Sequence, residues 1–197
     1  YLMNIETDAT TGDIKKVQAD TFMTSHQPNR DEEGICYVPQ SNTVFVSGEA
    51  DGQIIEYNLN GQLTGRRLTI PNMFRFAYRN GSFEALTYNA TTHRFWTTSE
   101  NTLKVDGQEP SIKRKIPNLL RFQSFDDNLQ PREQYWYLSD SSAVEGEEGK
   151  SVLGVSGLAA LDDGQIIVLE REIRQTPKYI NRRSEERRVG KERRSRW

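Results

Sequence analysis

Short runs of alternating apolar and polar residues dominate the chain, and turn-forming residues separate them. Such runs are typical of β-strands, because successive side chains of a strand point to opposite faces of the sheet. Patterns that indicate amphipathic helices are almost absent. The sequence therefore predicts an all-β protein, with strands at residues 1–6, 13–20, 34–38, 43–47, 53–58, 62–70, 83–88, 94–98, 119–125, 134–139, 156–160 and 165–170.

A hairpin pattern recurs along the chain. Residues 34–70 hold consecutive strands with short connections, which indicates an antiparallel meander. Related hairpins follow, and the repeats begin at Glu33, Glu84 and Ser156. The first spacing fits a propeller blade of about 40–50 residues, and the second fits a blade with an insertion, in which residues 139–150 are predicted to form a loop. We therefore predict a partial β-propeller of about three to four four-stranded antiparallel blades.

The segment 183–197 differs from the rest in composition. It holds seven Lys and Arg against three Glu, a balance that would suit a basic tail for nucleic acid. The segment resembles instead the conceptual translation of a short-read sequencing adapter, at every position except Arg193. We therefore expect residues 183–197 to be a non-native tail that is disordered or irregular, and we expect residues 1–182 to be a fragment of a larger propeller.

Without that tail, 19 Lys and Arg stand against 25 Asp and Glu, so the net charge changes from -2 to -6. A mildly acidic chain argues against a nucleic-acid partner and is compatible with cation binding. No apolar run has the length of a membrane-spanning helix. The single cysteine, Cys36, excludes an intrachain disulfide, and its apolar strand predicts that it packs as a small hydrophobic residue.

Glutamates recur at the same end of the predicted hairpins. Cross-strand partners in an antiparallel hairpin have a constant index sum, which places Glu33 with Glu49, and Glu84 with Glu100, at the end away from the turns. The same rule gives Glu170 this place in the third repeat. First strands line the channel of a propeller, so these carboxylates would surround its mouth.

Carboxylates held close together repel one another unless a cation or a proton lies between them. Ca²⁺ takes six to eight oxygen ligands, and carboxylates suit it. The pattern therefore indicates a Ca²⁺ site or a cation-bridged site for a phosphorylated ligand. A structural role stays open, because glutamates also occur at solvated strand ends and bond to backbone amides.

Three motifs carry the repeats: EGICYVPQSNTVFVSGE at 33–49, NGSFEALTYNATTHRFWTTSE at 80–100 and GVSGLAALDDGQIIVLERE at 154–172. Together they resemble the phytase-like family, described as having the esterase-like activity of phytase, over most of residues 30–175. The resemblance implies a β-propeller that is exported to the periplasm or out of the cell. It also implies hydrolysis of a small phosphorylated or ester substrate.

The resulting prediction is a Ca²⁺-assisted phosphoester or ester hydrolase that acts at a carboxylate-lined channel mouth. The alternative is a non-catalytic propeller that binds a ligand or a partner. We expect Arg171 to pair with a neighbouring carboxylate or to meet an anionic ligand. The candidate catalytic residues are Glu33, Glu84 and Arg171. The candidate Ca²⁺ ligands are Glu49, Glu100 and Glu170.

Overall fold

The computed structural model describes residues 2–22, 27–78, 81–111, 114–140, 151–174 and 187–188. In these residues the antiparallel strands form four sheets, and a short 3₁₀ helix at Asn72–Phe76 is the one helical element. The predicted all-β class is confirmed. The described part of the chain contains no helix with the length and apolar character that crossing a membrane requires.

Consecutive strands build each sheet. The N-terminal ribbon pairs β1 (Leu2–Thr7) with β2 (Ile14–Thr21). Sheet I has the order β3 (Glu32–Val38), β4 (Thr43–Gly48), β5 (Gln53–Asn58) and β6 (Leu63–Arg67). Sheet II has the order β7 (Phe83–Asn89), β8 (Arg94–Ser99), β9 (Leu119–Phe125) and β10 (Pro131–Leu138). Sheet III contains β11 (Ser151–Ala160), β12 (Ile166–Arg174) and β13 (Arg187–Arg188).

Sheets I and II are the four-stranded meanders that the sequence predicts, whereas sheet III has three strands among the described residues and the ribbon has two. The two-residue β13 pairs with β12 and lies in the adapter-like segment that we expected to be irregular. The other residues of 183–197 lie outside the described part of the chain. So do residues 141–150, which make up most of the predicted loop.

Sheets I, II and III pack face to face in the order in which they occur along the chain. Side chains along their strands alternate between the two faces of each sheet, so one set can be buried against a neighbouring sheet. In β3, Cys36 and Val38 are buried against sheet II, whereas Ile35 and Tyr37 point away from it. First strands lie beside first strands, with β3 against β7 and β7 against β11. This arrangement is the radial stacking of a partial propeller.

Aromatic side chains fill the core between sheets I and II. The ring of Phe95 lies 4.7 Å from that of Phe45 in an edge-to-face contact and 4.6 Å from that of Tyr88. Cys36 belongs to this core, and burial raises the pKa of its thiol to about 12. The prediction that Cys36 packs as a small hydrophobic residue is therefore confirmed.

A second core joins sheets II and III. Phe122 and Leu120 of β9 pack there with Val155 of β11 and Val168 of β12. Each of these side chains is almost completely buried. Sheet II is therefore covered on both faces, and it holds the other two sheets in fixed positions.

The first strand of each of sheets I, II and III contains an irregularity in its pairing, near the start of β3 and β7 and in the middle of β11. In sheet II, Phe83 pairs with Ser99 and Ala85 with Thr98, so Glu84 is the extra residue of a β-bulge. The pairing shifts at the corresponding place in β3 and in β11. A bulge changes the register of the residues before it, and so it determines which side chains meet at this end of the sheets.

The bulges define equivalent positions in the three sheets. The N–H of Glu49 donates to the carbonyl of Asp31 at 2.9 Å, and the N–H of Glu100 donates to the carbonyl of Ser82 at 2.8 Å. These pairs occupy the same position relative to their bulges. The pair at this position in sheet III is Gly154 with Arg171.

The aromatic core predicts that Phe95→Ala lowers the free energy of unfolding by about 3–5 kcal/mol, because the truncation removes buried contacts and leaves a cavity. Leu63→Ala is the matched control, since Leu63 is exposed in an edge strand. It should change the stability by less than about 1 kcal/mol. Denaturant titration of both variants measures the difference, and equal losses would contradict this description of the core.

Candidate functional site

Charged side chains from three sheets meet at the end of the hairpins opposite their turns. Their carboxylates are close enough to influence one another's pKa values, and a guanidinium lies among them. Glu33 and Glu84 lie at the bulges, and the other residues lie on the backbone directly beside them. The contributing residues are Asp31, Glu33 and Glu49 from sheet I, Glu84 and Glu100 from sheet II, and Arg171 from sheet III.

The outer part of the site is an acidic trio, Asp31, Glu33 and Glu49. One carboxylate oxygen from each lies within 4.8 Å of the others. Asp31 and Glu33 are exposed, and Glu49 is half-buried and accepts a hydrogen bond from the N–H of Ser82 at 3.0 Å. Partial burial raises the pKa of Glu33, and the charges of Asp31 and Glu49 raise it further.

The inner part of the site is a buried pair of glutamates, Glu84 and Glu100, which are 8% and 6% exposed. Nη2 of Arg171 donates to Oε1 of Glu84 at 2.8 Å and to Oε1 of Glu100 at 2.9 Å. One guanidinium nitrogen therefore bridges both carboxylates. The bridge also connects sheet III to sheet II.

The inner pair titrates in an unusual range. The pKa of Glu84 is raised to about 7, chiefly by burial and also by the charges of Glu100 and Glu33, while Arg171 opposes the shift. Burial also raises the pKa of Glu100 against the effect of Arg171. Burial lowers the pKa of Arg171, but its bonds to Glu100 and Glu84 outweigh burial and raise the value overall. At neutral pH, Glu84 therefore exchanges a proton readily while Arg171 stays charged.

Gly154 leaves room for the inner pair. A Cβ atom at this position would lie 2.5 Å from Cγ of Glu100 and 2.9 Å from its Oε1. Such distances are far shorter than van der Waals contact, so any larger residue would displace the carboxylate from Arg171. The glycine is part of the third motif, but its sequence alone gives no sign of this role.

The buried Arg30 holds the backbone next to the acidic trio in place. Its Nε donates to Oδ2 of Asp51 at 2.6 Å, and its Nη2 donates to the carbonyl of Gln53 at 2.9 Å. Its own carbonyl accepts from the N–H of Ala50 at 3.0 Å. These bonds fix the backbone beside Asp31, which adopts a left-handed conformation with a φ of 56°.

The structure brings together most of the sequence-predicted residues. Glu33, Glu49, Glu84, Glu100 and Arg171 all belong to the site. Their predicted roles are not tested by this placement.

The predicted equivalence of Glu170 with Glu49 and Glu100 is wrong. A constant index sum does not continue through a bulge, and the observed register gives this position to Arg171. Glu170 is the neighbour of Arg171 in β12, so its side chain points to the opposite face. There it is buried and accepts hydrogen bonds from the Tyr137 hydroxyl and, at 3.0 Å, from the N–H of Asp140.

Asp31 was missed in the sequence analysis. It lies two residues before the first motif residue, Glu33, and follows no recognisable strand pattern. Its pairing with Glu49 depends on the bulge. Knowledge of the bulge would have identified it, because it is the cross-strand partner of a glutamate already selected.

The packing at Gly154 predicts that Gly154→Ala destabilises the fold by about 1–3 kcal/mol, because the new methyl group forces Glu100 away from Arg171. Gly107→Ala is the matched control, since its Cβ would lie 3.5 Å from Cγ2 of Thr102, an ordinary contact distance. Thermal unfolding at pH 7 compares the two variants. An effect of Gly154→Ala no larger than that of the control would contradict the proposed contact.

The raised pKa of Glu84 predicts a pH-dependent stability. The carboxyl binds a proton more tightly when folded, with a pKa of about 7 against 4.5 for an ordinary glutamate. Its contribution is therefore complete below pH 4.5 and is lost as the pH rises to about 7. The loss is on the order of 3 kcal/mol.

Glu84→Gln should remove this part of the pH dependence, and Glu32→Gln, at an exposed neighbour of the trio, should retain it. Denaturant titrations from pH 4 to pH 8 measure the free energy of unfolding of each protein. Parallel profiles for the wild type and Glu84→Gln would show that Glu84 titrates normally.

The comparisons with known proteins agree with the motif resemblance. The family model described as "Phytase-like: Esterase-like activity of phytase" matches residues 1–189, a range that ends inside the adapter-like segment. Among curated proteins, none matches the chain. The matched range includes all three sheets' repeats and every residue of the acidic site. The chain therefore belongs to the phytase-like family, whose model is described as the esterase-like activity of phytase.

Proposed function

We propose that the acidic end of the sheets is a Ca²⁺-assisted site for the hydrolysis of a small phosphoester or ester. The observation that carries this proposal is the geometry of the acidic trio, whose carboxylate oxygens lie within 4.8 Å of one another. Membership of the phytase-like family supports a hydrolase in general terms. The acidic trio supports a specific binding position for the cation within this site.

The residues of the trio fit a hard cation. They offer only carboxylate oxygens, which are the ligands that Ca²⁺ prefers, and carboxylates bind it with one or both oxygens. Burial raises the pKa of Glu33 and the charges of Asp31 and Glu49 raise it further, so a divalent cation would relieve a repulsion that the fold creates. The half-buried Glu49 is anchored by the N–H of Ser82, which holds one ligand in place.

The proposed ligand set differs from the one that the sequence predicted. Asp31 and Glu33 join Glu49 as candidate Ca²⁺ ligands. Glu100 leaves the set because its carboxylate bonds to Arg171. Glu170 leaves it because its carboxylate points to the other face of sheet III.

Arg171 and the inner pair, Glu84 and Glu100, would supply the substrate-binding and proton-transfer groups. A bound Ca²⁺ would neutralise charge on a phosphate oxygen and lower the pKa of a coordinated water. Arg171 is 38% exposed, so its guanidinium is accessible to an anionic substrate and forms charge-assisted hydrogen bonds. Glu100 orients Arg171, and Glu84, with a pKa of about 7, is suited to accept and return a proton near neutral pH.

A non-catalytic propeller that binds a ligand is the second candidate function. The observation that favours it is the bridge itself, because Arg171 already balances the charge of Glu84 and Glu100. Ion-pair networks of this kind also occur as purely structural elements and perturb pKa values without catalysis. In that case Ca²⁺ would stabilise the site without turnover.

Other expectations remain predictions within this proposal. They are the location in the periplasm or outside the cell, the absence of a nucleic-acid partner and the division of the chain into residues 1–182 and an adapter-derived tail. A small substrate is consistent with the family.

Calorimetry tests the cation site. We expect the chain to bind Ca²⁺, and we expect Asp31→Asn, Glu33→Gln and Glu49→Gln each to weaken binding by roughly ten- to a hundredfold, because each removes a charged ligand. Glu32→Gln is the control, since Glu32 is exposed in the same strand but lies outside the trio. No Ca²⁺ binding, or equal weakening by the control, would overturn the site.

Phosphate release from phytate, measured with and without Ca²⁺, separates the two candidate functions. Ca²⁺-dependent release that is lost in Glu49→Gln and in Arg171→Gln supports the hydrolase. Ca²⁺ binding without release of phosphate, or of the alcohol from an ester such as p-nitrophenyl acetate, supports the binding protein. Glu32→Gln should retain wild-type rates in both assays.

A further inference from the structure

The acidic chain carries a basic region in two of its connections. Residues 68–82 lie between β6 and β7, and residues 101–118 lie between β8 and β9. Together they hold six Lys and Arg against two Asp and Glu, a net charge of +4, whereas residues 1–182 as a whole carry -6. The rest of that range therefore carries -10. Such a separation of charge indicates an anionic partner for the two connections.

The two connections are bonded to each other and anchored from inside. The N–H of Lys104 donates to the carbonyl of Phe76 at 2.9 Å. Phe74 and Leu103, one in each connection, are 5% and 0% exposed and belong to the core between sheets I and II. Because these buried side chains anchor both connections, the residues that follow them hold defined positions at the surface.

The result is a surface that mixes cations with apolar side chains, which we call the basic surface. It comprises Arg75, Phe76, Lys104 and Val105, all of them exposed, and Val105 is 52% exposed. Cζ of Arg75 lies 4.7 Å from the ring centroid of Phe76, and Nζ of Lys104 lies 5.2 Å from that of Tyr78. These cation–π contacts keep the cations beside the apolar side chains.

The acids of the two connections cancel little of this charge at the surface. The side chain of Asp106 is 3% exposed and accepts hydrogen bonds from Nε and Nη2 of Arg121 in β9, each at 2.6 Å. Glu109 is the one exposed acid in the described part of both connections. Arg114 and Lys115, further along the second connection, are exposed and add two cations.

This combination fits the surface of an anionic membrane better than it fits a dissolved anion. Sites for small ligands are concave, whereas the basic surface consists of exposed side chains on two surface connections. At a membrane, Lys and Arg pair with lipid phosphates while neighbouring apolar side chains enter the boundary with the acyl chains. A small anion would leave Phe76 and Val105 in water.

We propose that the basic surface docks the protein on anionic lipid membranes, with its two apolar side chains in the headgroup region and its two cations bonded to lipid phosphates. The connections that carry it adjoin the acidic site. The first ends at Ser82, which bonds to the acidic trio, and the second begins directly after the inner pair. Docking therefore holds that site near the lipid surface, although it requires neither Ca²⁺ nor catalysis.

Co-sedimentation of the full chain with lipid vesicles tests the docking. We expect binding to vesicles of phosphatidylglycerol and phosphatidylcholine, and at least about tenfold weaker binding to phosphatidylcholine alone. Added NaCl should weaken the binding to anionic vesicles, because salt screens exposed charges. EDTA in the buffer excludes Ca²⁺ bridges between the acidic trio and lipid phosphates. No binding to anionic vesicles, or equal binding to both lipid compositions, would overturn the proposal.

Single substitutions test whether the basic surface is responsible. Arg75→Gln and Lys104→Gln should each weaken binding to anionic vesicles about fivefold, because each removes one charge near the headgroups. Lys16→Gln and Lys191→Gln are matched controls, since they remove one cation from the N-terminal ribbon and one from the adapter-like segment. Both controls should leave binding unchanged. Equal weakening by either control would place the binding elsewhere and overturn the proposal.

Phe76→Ala tests the apolar part of the docking. It should weaken binding roughly tenfold at low and high salt alike, because the contact it removes is not electrostatic. Far-UV circular dichroism establishes that each variant is folded. Unchanged binding of Phe76→Ala, or binding of soluble polyglutamate in place of vesicles, would overturn the lipid partner, and the second result would assign the surface to an acidic protein. Loss of Ca²⁺ binding would leave the docking unaffected.

Discussion

The bridge from Arg171 to Glu84 and Glu100 is the interaction on which the acidic end of the protein depends. Two buried glutamates without a counter-charge would cost several kcal/mol, and three more carboxylates lie next to them. Arg171 offsets part of this repulsion and ties sheet III to sheet II. The remaining repulsion is concentrated in the acidic trio, where the exposed Asp31 and Glu33 give water, protons and cations access.

The bulges determine where this charge collects. Each inserts one residue into a first strand, so the cross-strand pairing on one side of the bulge is shifted by one residue relative to the pairing on the other side. The candidate site is therefore built on strands that pack against two cores. Its geometry is held by the sheets, with the buried Arg30 as an additional anchor.

The sequence predicted most of the fold because alternation, turn residues and repeat spacing are local signals. Strand bounds such as Gln53–Asn58 and Leu119–Phe125 agree with the prediction. The site was predicted less well, because a bulge leaves no clear local signal and changes the cross-strand partners. Asp31 was missed and Glu170 was misplaced for this reason, and the role of Gly154 depends on a contact with another sheet.

The position of Cys36 has a practical consequence. It is the chain's one cysteine, and it lies in the core between sheets I and II with a pKa of about 12. Since the thiolate is the reactive form, alkylating reagents find almost no nucleophile while these sheets stay together. The alkylation rate of the native thiol therefore measures how often sheets I and II separate, and it requires no introduced label.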